Sequence, residues 1–142
     1  MKERFKVTPV AYCLLVKDEQ FLLQERLNTG FMDGYYAIPA GHVEDGEAFR
    51  ESIARELYEE TGITCNIEDL EFVHATHHLD TNYVALIFKL EKWEGEVVNK
   101  EPHKCSNLTW CSLDSFPENT IPGDREIIEQ IFAGKRYFEH KE

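Results

Sequence analysis

Residues 41–63 constrain the fold of this chain more than any other part of the sequence. Asp45 and Gly46 predict a turn, and Asp45 is suited to cap a helix that follows it. Residues 47–61 contain no proline or glycine and are rich in Ala, Leu, Glu and Arg, which predicts a helix of about four turns. Gly62 is suited to end that helix in the left-handed conformation.

The predicted helix has two different faces. One face is an apolar stripe whose members recur every four residues: Phe49, Ile53 and Leu57. The other face gathers three carboxylates: Glu56, Glu59 and Glu60. Carboxylates at this spacing repel one another and resist ionisation, and a divalent cation with a preference for hard oxygen ligands, Mg²⁺ or Mn²⁺, relieves the repulsion. The alternative is a solvated acidic helix face.

The spacing of the whole stretch resembles the Nudix box, G-x5-E-x7-R-E-U-x-E-E-x-G-U, in which U is aliphatic. Every fixed position is filled: Gly41, Glu47, Arg55, Glu56, Leu57, Glu59, Glu60, Gly62 and Ile63. Seven of these positions accept a single residue type, so a chance match has a probability on the order of 10⁻⁸ per starting position. The sequence is therefore similar to Nudix hydrolases, which hydrolyse a nucleoside diphosphate linked to another moiety, X.

The resemblance implies roles for residues within the box. The implied metal ligands are the carbonyl of Gly41 and the carboxylates of Glu56, Glu59 and Glu60. One carboxylate, from Glu56 or Glu59, would orient or deprotonate the attacking water. Arg55 and Glu47 would pair and hold the carboxylate cluster in place, although Arg55 also fits a solvated helix position.

Further candidates lie outside the predicted helix. The substrate-binding candidates are Arg26, Tyr36, His42 and Glu101. Arg26 ends a predicted strand where related sequences often contact phosphate, and Glu101 lies where some relatives carry an additional metal ligand or base. The aromatic residues that could stack on a base, or pack in the core, are Phe31, Tyr35, Tyr36 and Trp110. His77 and His78 are adjacent in a predicted strand, so at most one of them faces a site.

The remaining sequence predicts several strands and a closing helix. Strands are expected at residues 5–16, 21–25, 35–39, 71–78, 83–90 and 108–113, and loops at 27–34, 79–82, 93–102 and 114–123. Pro9 indicates an edge position or a bulge in the first strand. A helix at residues 124–132 is stopped by Gly134, and the charged tail, 135–142, is expected to fray.

These elements and the resemblance predict an α/β fold of one domain. The expected architecture is the Nudix-type αβα sandwich, a mixed β-sheet flanked by helices, and residues 1–142 form a single Nudix hydrolase domain with its box at 41–63. The four cysteines lack metal-site spacing and predict reduced thiols, with a zinc site as the alternative. The longest apolar run, 10–16, is too short to span a membrane, and a cytoplasmic location is expected.

The charge of the chain bears on its partners. A net charge of −12 argues against nucleic-acid and acidic-membrane partners, but not against a phosphate substrate bound through a metal. The leading hypothesis is Mg²⁺-dependent hydrolysis of a pyrophosphate bond in a nucleoside triphosphate, as in MutT-like members of the family. The reason is that the sequence shows no added domain that would recognise a larger X. The alternatives are an ADP-ribose or nucleotide-sugar pyrophosphatase and a non-catalytic nucleotide-binding module. A monomer and a homodimer are both compatible with the sequence.

Overall fold

The computed structural model describes residues 3–141. The strands are β1 (Thr8–Lys17), β2 (Gln20–Arg26), β3 (Tyr36–Ala37), β4 (Ala40–His42), β5 (Glu71–His78), β6 (Tyr83–Leu90), β7 (Cys105–Cys111) and β8 (Tyr137–His140). The helices are α1 (Phe49–Thr61) and α2 (Pro122–Phe132), and a short 3₁₀ helix, Ile67–Asp69, precedes β5. Neither α1 nor α2 is long and apolar enough to cross a bilayer.

The strands form one mixed sheet around β1. The order along the sheet is β3-β2-β1-β6-β5-β8, with β4 paired to β1 and β7 paired to β2. The β1–β6 and β5–β8 pairs are parallel, and the other pairs are antiparallel. Asp18 and Glu19 both adopt positive φ in the tight turn that joins β1 to β2, so the predicted hairpin is confirmed.

Alternate residues of β1 point into two separate cores. Val10, Tyr12 and Leu14 belong to a core that includes Ile127 and Ile128 of α2. Ala11, Cys13 and Leu15 belong to a core that includes Ile53 and Leu57 of α1. The sheet is therefore a middle layer with one helix on each face, and the predicted αβα sandwich is confirmed.

The start of α1 differs from the prediction. The helix begins at Phe49 with Ala48 as its N-cap, so the expected cap at Asp45 is wrong. The carboxylate of Glu51 accepts a hydrogen bond from the Ala48 amide at 2.8 Å, which satisfies a donor at the helix entrance. The other end is as predicted, because Gly62 adopts φ 79° and its amide donates to the Tyr58 carbonyl.

Two predictions about the sheet were also wrong. The edge position inferred from Pro9 is incorrect, because β1 lies between β6 on one side and β2 with β4 on the other. Pro9 is tolerated because β4 pairing begins one residue later, at Val10. The tail does not fray throughout, because Tyr137–His140 pairs in parallel with β5 and forms an edge of the sheet. Glu142, also assigned to the tail, lies outside the described residues.

The four cysteines are free thiols. Cys13, Cys105 and Cys111 are buried, whereas Cys65 is half-buried. Burial raises the pKa of Cys111 to about 11 and raises that of Cys13 further. Because the thiolate is the reactive form, these two buried cysteines act as small apolar core residues.

Candidate active site

A cleft of about 460 Å³ lies beside the second half of α1. Its lining residues are Gln24, Arg26, Thr29, Ala40, Gly41, His42, Glu44, Arg55, Glu56, Glu59, Glu60, Glu101, Lys104 and Cys105. Most of the site residues predicted from the sequence are therefore brought to one place, although they come from β2, β4, α1 and the segment before β7. The volume is in the usual range for small-molecule sites.

The pairing of β4 with β1 brings Gly41 against the helix. Gly41 lies opposite Ala11 in the antiparallel register, and Glu56 of α1 lies directly above it. A Cβ atom at position 41 would be 2.5 Å from the Glu56 carboxyl carbon, a distance that real Cβ atoms essentially never show. Any side chain at position 41 would therefore displace Glu56, and glycine leaves that space to the Glu56 side chain.

Arg55 organises the carboxylates around it. Its Nε and Nη2 atoms donate to the two carboxylate oxygens of Glu47 at 2.7 and 3.1 Å. Its Nη1 atom donates to Glu56 Oε1 at 3.0 Å and lies 3.5 Å from Glu59 Oε2. This two-pronged contact with Glu47 fixes the plane of the guanidinium group, which in turn orients Glu56. The predicted pairing of Arg55 with Glu47 is confirmed.

The contact with Arg55 makes the Glu47 carboxylate sensitive to acid. Hydrogen bonds from Arg55, and then from the Glu44 amide, lower the pKa of Glu47 from 4.5 to about 2. A carboxylate with a lowered pKa stabilises the fold above its unfolded-state value and loses that contribution as pH falls toward its folded value. We expect wild type to be more stable than Glu47→Gln above about pH 5, with the gap closing as pH falls from 4.5 toward 2.

Urea unfolding at a series of pH values measures that gap. The matched control is Glu126→Gln, because Glu126 is an exposed glutamate of α2 with no salt bridge among the described residues. The control should track wild type at every pH. A gap that stays constant across the acid range would contradict the assigned role of Glu47.

Glu60 is a carboxyl group that resists ionisation in this fold. The pKa of Glu60 is raised to about 9, mainly by burial and next by the charge of Glu56 and the contact with it. The charges of Glu101 and Glu59 make smaller contributions in the same direction. The Oε2 atom of Glu60 is buried without a hydrogen-bond partner. The Glu56–Glu60 pair therefore retains a proton near neutral pH in the absence of a cation.

The chemistry of this cluster fits a divalent metal. The orphaned Glu60 Oε2 atom needs a partner, and Gly41 leaves room for Glu56 beside it. Carboxylate oxygens are the ligands that Mg²⁺ and Mn²⁺ prefer. No group of three or more His, Cys, Asp or Glu side chains in residues 3–141 is arranged to hold an ion as it stands. Arg55 donates to Glu56 Oε1, and the remaining lone pairs of the Glu56 carboxylate are available to a cation.

Arg26 lines the cleft but is held by its own loop. Its Nε atom donates to the Phe31 carbonyl at 2.7 Å, and its Nη2 atom donates to Thr29 Oγ1 at 2.9 Å. Its guanidinium also lies over the exposed Phe31 ring, 5.5 Å from the ring centroid. Arg26 therefore shapes the loop after β2, and only part of its hydrogen-bonding capacity is left for a ligand.

Other predicted residues divide between the cleft and the rest of the protein. His42 and Glu101 line the cleft. Tyr36 does not, because it packs against the core on the α2 side and its hydroxyl accepts a hydrogen bond from Asn107 at 2.7 Å. Trp110 stacks on Trp93 outside the cleft.

The histidine pair at the end of β5 also lies away from the cleft. His78 stacks on Tyr83 with ring centroids 4.0 Å apart. Burial, with smaller contributions from His140 and His77, lowers the pKa of His78 to about 4. His78 is therefore neutral near physiological pH and belongs to an aromatic cluster rather than to the carboxylate site.

One cleft residue has no sequence signal that would have identified it. Lys104 lies in a short polar segment, Glu101-Pro102-His103-Lys104, that matches no motif. It reaches the cleft because its carbonyl accepts a hydrogen bond from the Leu27 amide at 2.9 Å, which joins the segment before β7 to the end of β2. This contact depends on residues far apart in the chain.

Comparisons with known proteins agree with this architecture. The NUDIX domain model matches residues 6–131. An ADP-ribose pyrophosphatase of Methanocaldococcus jannaschii is 34% identical over 120 residues, which are 83% of this chain and 69% of that protein. A NAD-capped RNA hydrolase NudC of Pseudomonas aeruginosa is 28% identical over 126 residues, which are 89% of this chain and 43% of that protein. This chain thus spans less than half of the length of that NudC protein.

The solved structures include a close match in fold. The crystal structure of a MutT NUDIX hydrolase from Burkholderia pseudomallei superposes with a TM-score of 0.80 and 25% sequence identity, covering 89% of this chain and 98% of that one. The fold and the cleft define an αβα sandwich protein with a glutamate cluster on the helix beside its cleft. With the family model covering most of its length, the chain belongs to the Nudix family.

Proposed function

We propose that the protein hydrolyses a pyrophosphate bond in a nucleoside diphosphate derivative, with Mg²⁺ as the preferred metal and Mn²⁺ as an alternative. The observation that carries the proposal is the cleft, in which the glutamates of the box surround the Glu60 carboxyl group, whose buried Oε2 atom has no hydrogen-bond partner. The metal ligands would be Gly41, through its carbonyl, with Glu56, Glu59 and Glu60. When bound, a divalent cation offsets the negative charge of the phosphates and of the leaving group.

The side chains of the cleft have different parts in this reaction. Glu56 is fixed by Arg55 and abuts Gly41, so it is a ligand of defined position. Glu59 is less constrained, because its side chain is 49% exposed and its contact with Arg55 is 3.5 Å long. We therefore assign to Glu59 the carboxylate that orients the attacking water and accepts its proton. The oxygen of the water forms a bond to phosphorus, and the bridging P–O bond breaks.

Two substrate classes are favoured by separate observations. Nucleoside triphosphates remain the first candidates from the sequence. ADP-ribose is the second, because the 34% identical relative is named as an ADP-ribose pyrophosphatase. Cleavage of a nucleoside triphosphate would release pyrophosphate and a nucleoside monophosphate, whereas cleavage of ADP-ribose would release AMP and ribose 5-phosphate. The products therefore distinguish the two classes.

A substrate panel with product analysis tests the proposal. Ribo- and deoxyribonucleoside triphosphates, 8-oxo-dGTP, ADP-ribose, NAD⁺ and dinucleoside polyphosphates are incubated with the protein and Mg²⁺, and products are separated by chromatography. We expect turnover that a chelator abolishes, at a rate constant on the order of 1–10 s⁻¹ for the preferred substrate. Absence of turnover on every compound would refute the proposed activity.

Parallel preparations of variants exclude a contaminating phosphatase. Glu56→Gln should lose most of the turnover, because the carboxylate beside Gly41 is neutralised. Glu126→Gln, on the opposite helix, should retain it. Equal activity in all three preparations would assign the hydrolysis to a contaminant. A non-catalytic nucleotide-binding module, the third hypothesis, would bind a panel compound without releasing any product.

A further inference from the structure

Three cationic side chains line the cleft, and two of them are already engaged by the protein. Arg55 is surrounded by carboxylates, with Glu47 and Glu56 within hydrogen-bonding distance. Arg26 donates to its own loop through Nε and Nη2. Neither guanidinium group can give its full set of hydrogen bonds to a ligand without breaking contacts that shape the site.

Lys104 is the third cation, and its side chain is uncommitted. The residue is exposed, and its ammonium group forms no salt bridge or hydrogen bond with any residue of 3–141, although Glu101 lines the same cleft. Its backbone, by contrast, is fixed, because its amide donates to the Glu101 carbonyl and its carbonyl accepts from the Leu27 amide, both at 2.9 Å. A fixed backbone with a free charged side chain is suited to contacting a ligand.

Lys104 and Arg26 form a basic part of the cleft wall that is separate from α1. Cys105, the next residue, pairs with Arg26 in the β2–β7 register, so Lys104 lies beside the end of β2. The carboxylates of Glu56, Glu59 and Glu60 come from α1 instead. A pyrophosphate-containing ligand has anionic oxygens on several sides, and a metal at the glutamates would meet only some of them. The basic part of the wall, formed by Lys104 and Arg26, is available to the remaining anionic oxygens.

We propose that Lys104 contacts the phosphate chain of the substrate and contributes to substrate affinity rather than to the chemical step. This inference rests on the proposed function, because it takes a nucleoside diphosphate derivative as the ligand. The ammonium group supplies a compact charge with up to three donors, which suits phosphate oxygens in more than one arrangement. The contact also offsets the acidity of a cleft lined by five glutamates.

Steady-state kinetics of Lys104→Met and Lys104→Arg test the proposal. The methionine keeps the length of the side chain and removes its charge, so we expect KM to rise by about 10-fold while kcat changes by less than about 2-fold. The arginine keeps the charge, and its KM should stay within about 3-fold of wild type. The effect of Lys104→Met should shrink as ionic strength increases, because the contact is exposed to solvent.

Lys100→Met is the matched control. Lys100 is exposed and lies four residues away in the same connecting segment, but it does not line the cleft. It should leave both KM and kcat unchanged. Equal KM values for Lys104→Met, Lys100→Met and wild type would overturn the proposal, as would a loss confined to kcat.

A binding measurement separates this proposal from the proposed activity. Calorimetry with α,β-methylene-ADP and Mg²⁺ reports affinity without turnover. Weaker binding by Lys104→Met than by Lys100→Met supports the contact even if the substrate panel shows no hydrolysis. Equal binding by the two variants and wild type overturns it even if hydrolysis is found.

Discussion

Replacement of Glu60 by glutamine is expected to lower kcat by about 10²–10³-fold and, at the same time, to stabilise the metal-free protein. The loss of activity follows from the removal of a carboxylate that we assign as a metal ligand. The gain in stability follows from the raised pKa of Glu60, about 9 in the fold against 4.5 ordinarily. A variant that is less active and more stable is the signature of a side chain retained for function.

The sign of the stability effect follows from proton binding. Between 4.5 and about 9 the unfolded chain releases the Glu60 proton while the folded chain keeps it, so the stability contributed by this group falls as pH rises. Glutamine removes that dependence. The melting temperature of Glu60→Gln in a chelator should therefore exceed that of wild type by an amount that grows from about pH 5 to about pH 8, reaching on the order of 10 °C.

Mg²⁺ should reverse the order of stability. A cation that binds the folded state stabilises it according to its concentration and affinity, and wild type should gain more than Glu60→Gln. Glu59→Gln provides the contrast. Because the Glu59 side chain is half exposed, this substitution should lower activity without raising the stability of the metal-free protein. Wild-type activity in Glu60→Gln would refute the metal assignment. Equal stabilisation of both proteins by Mg²⁺ would contradict it as well.

The sequence predicts those parts of the fold whose causes are local. The hairpin of β5 and β6 has the predicted limits, 71–78 and 83–90, because apolar alternation and a polar turn lie within one short segment. The end of α1 at Gly62 is likewise a property of one residue. The motif also predicts that Glu56, Glu59 and Glu60 lie together, because their spacing is that of one helix face. A linear pattern is sufficient to bring such side chains together.

The features that sequence reasoning missed depend on distant pairing. The segment Tyr137–His140 is short, and it becomes a strand because β5 provides a parallel partner about 60 residues earlier in the chain. Lys104 is held at the cleft by the hydrogen bond that its carbonyl accepts from the Leu27 amide. Arg26 donates hydrogen bonds to Thr29 and Phe31 of the loop that follows β2. None of these contacts leaves a periodic signal in the sequence.

The buried character of Glu60 was equally inaccessible to the sequence. The three carboxylates of the cluster look equivalent in the motif, yet the fold buries the Oε2 atom of Glu60 and leaves the Glu59 side chain half exposed. The difference arises because Glu60 lies against β1 and β4, beside a small void that Cys13 and Gly41 also line. A motif predicts which residue types meet, whereas packing decides which of them keeps its proton.

Gly41→Ala is expected to reduce kcat by about 100-fold while costing little stability. The new Cβ atom would lie 2.5 to 2.7 Å from the outer atoms of the Glu56 side chain, so that side chain must move. Displacement by about 1 Å of a group in a reacting site can cost about 10²-fold in rate. The backbone itself is not strained, because Gly41 has no positive φ. Loss of the Arg55–Glu56 contact should cost about 1 kcal/mol, or roughly 2–4 °C in melting temperature.

Gly123→Ala is the matched control, because a Cβ atom there meets nothing within 4 Å and the residue has no positive φ. It should keep wild-type activity and an equal or slightly higher melting temperature.

A double-mutant cycle then identifies the clash between position 41 and Glu56 as the cause. In a Glu56→Ala background the atoms that an alanine at position 41 would meet are gone, so adding Gly41→Ala should cause no further loss of activity. Additive losses in that background would show that Gly41 matters for a reason other than the space taken by Glu56.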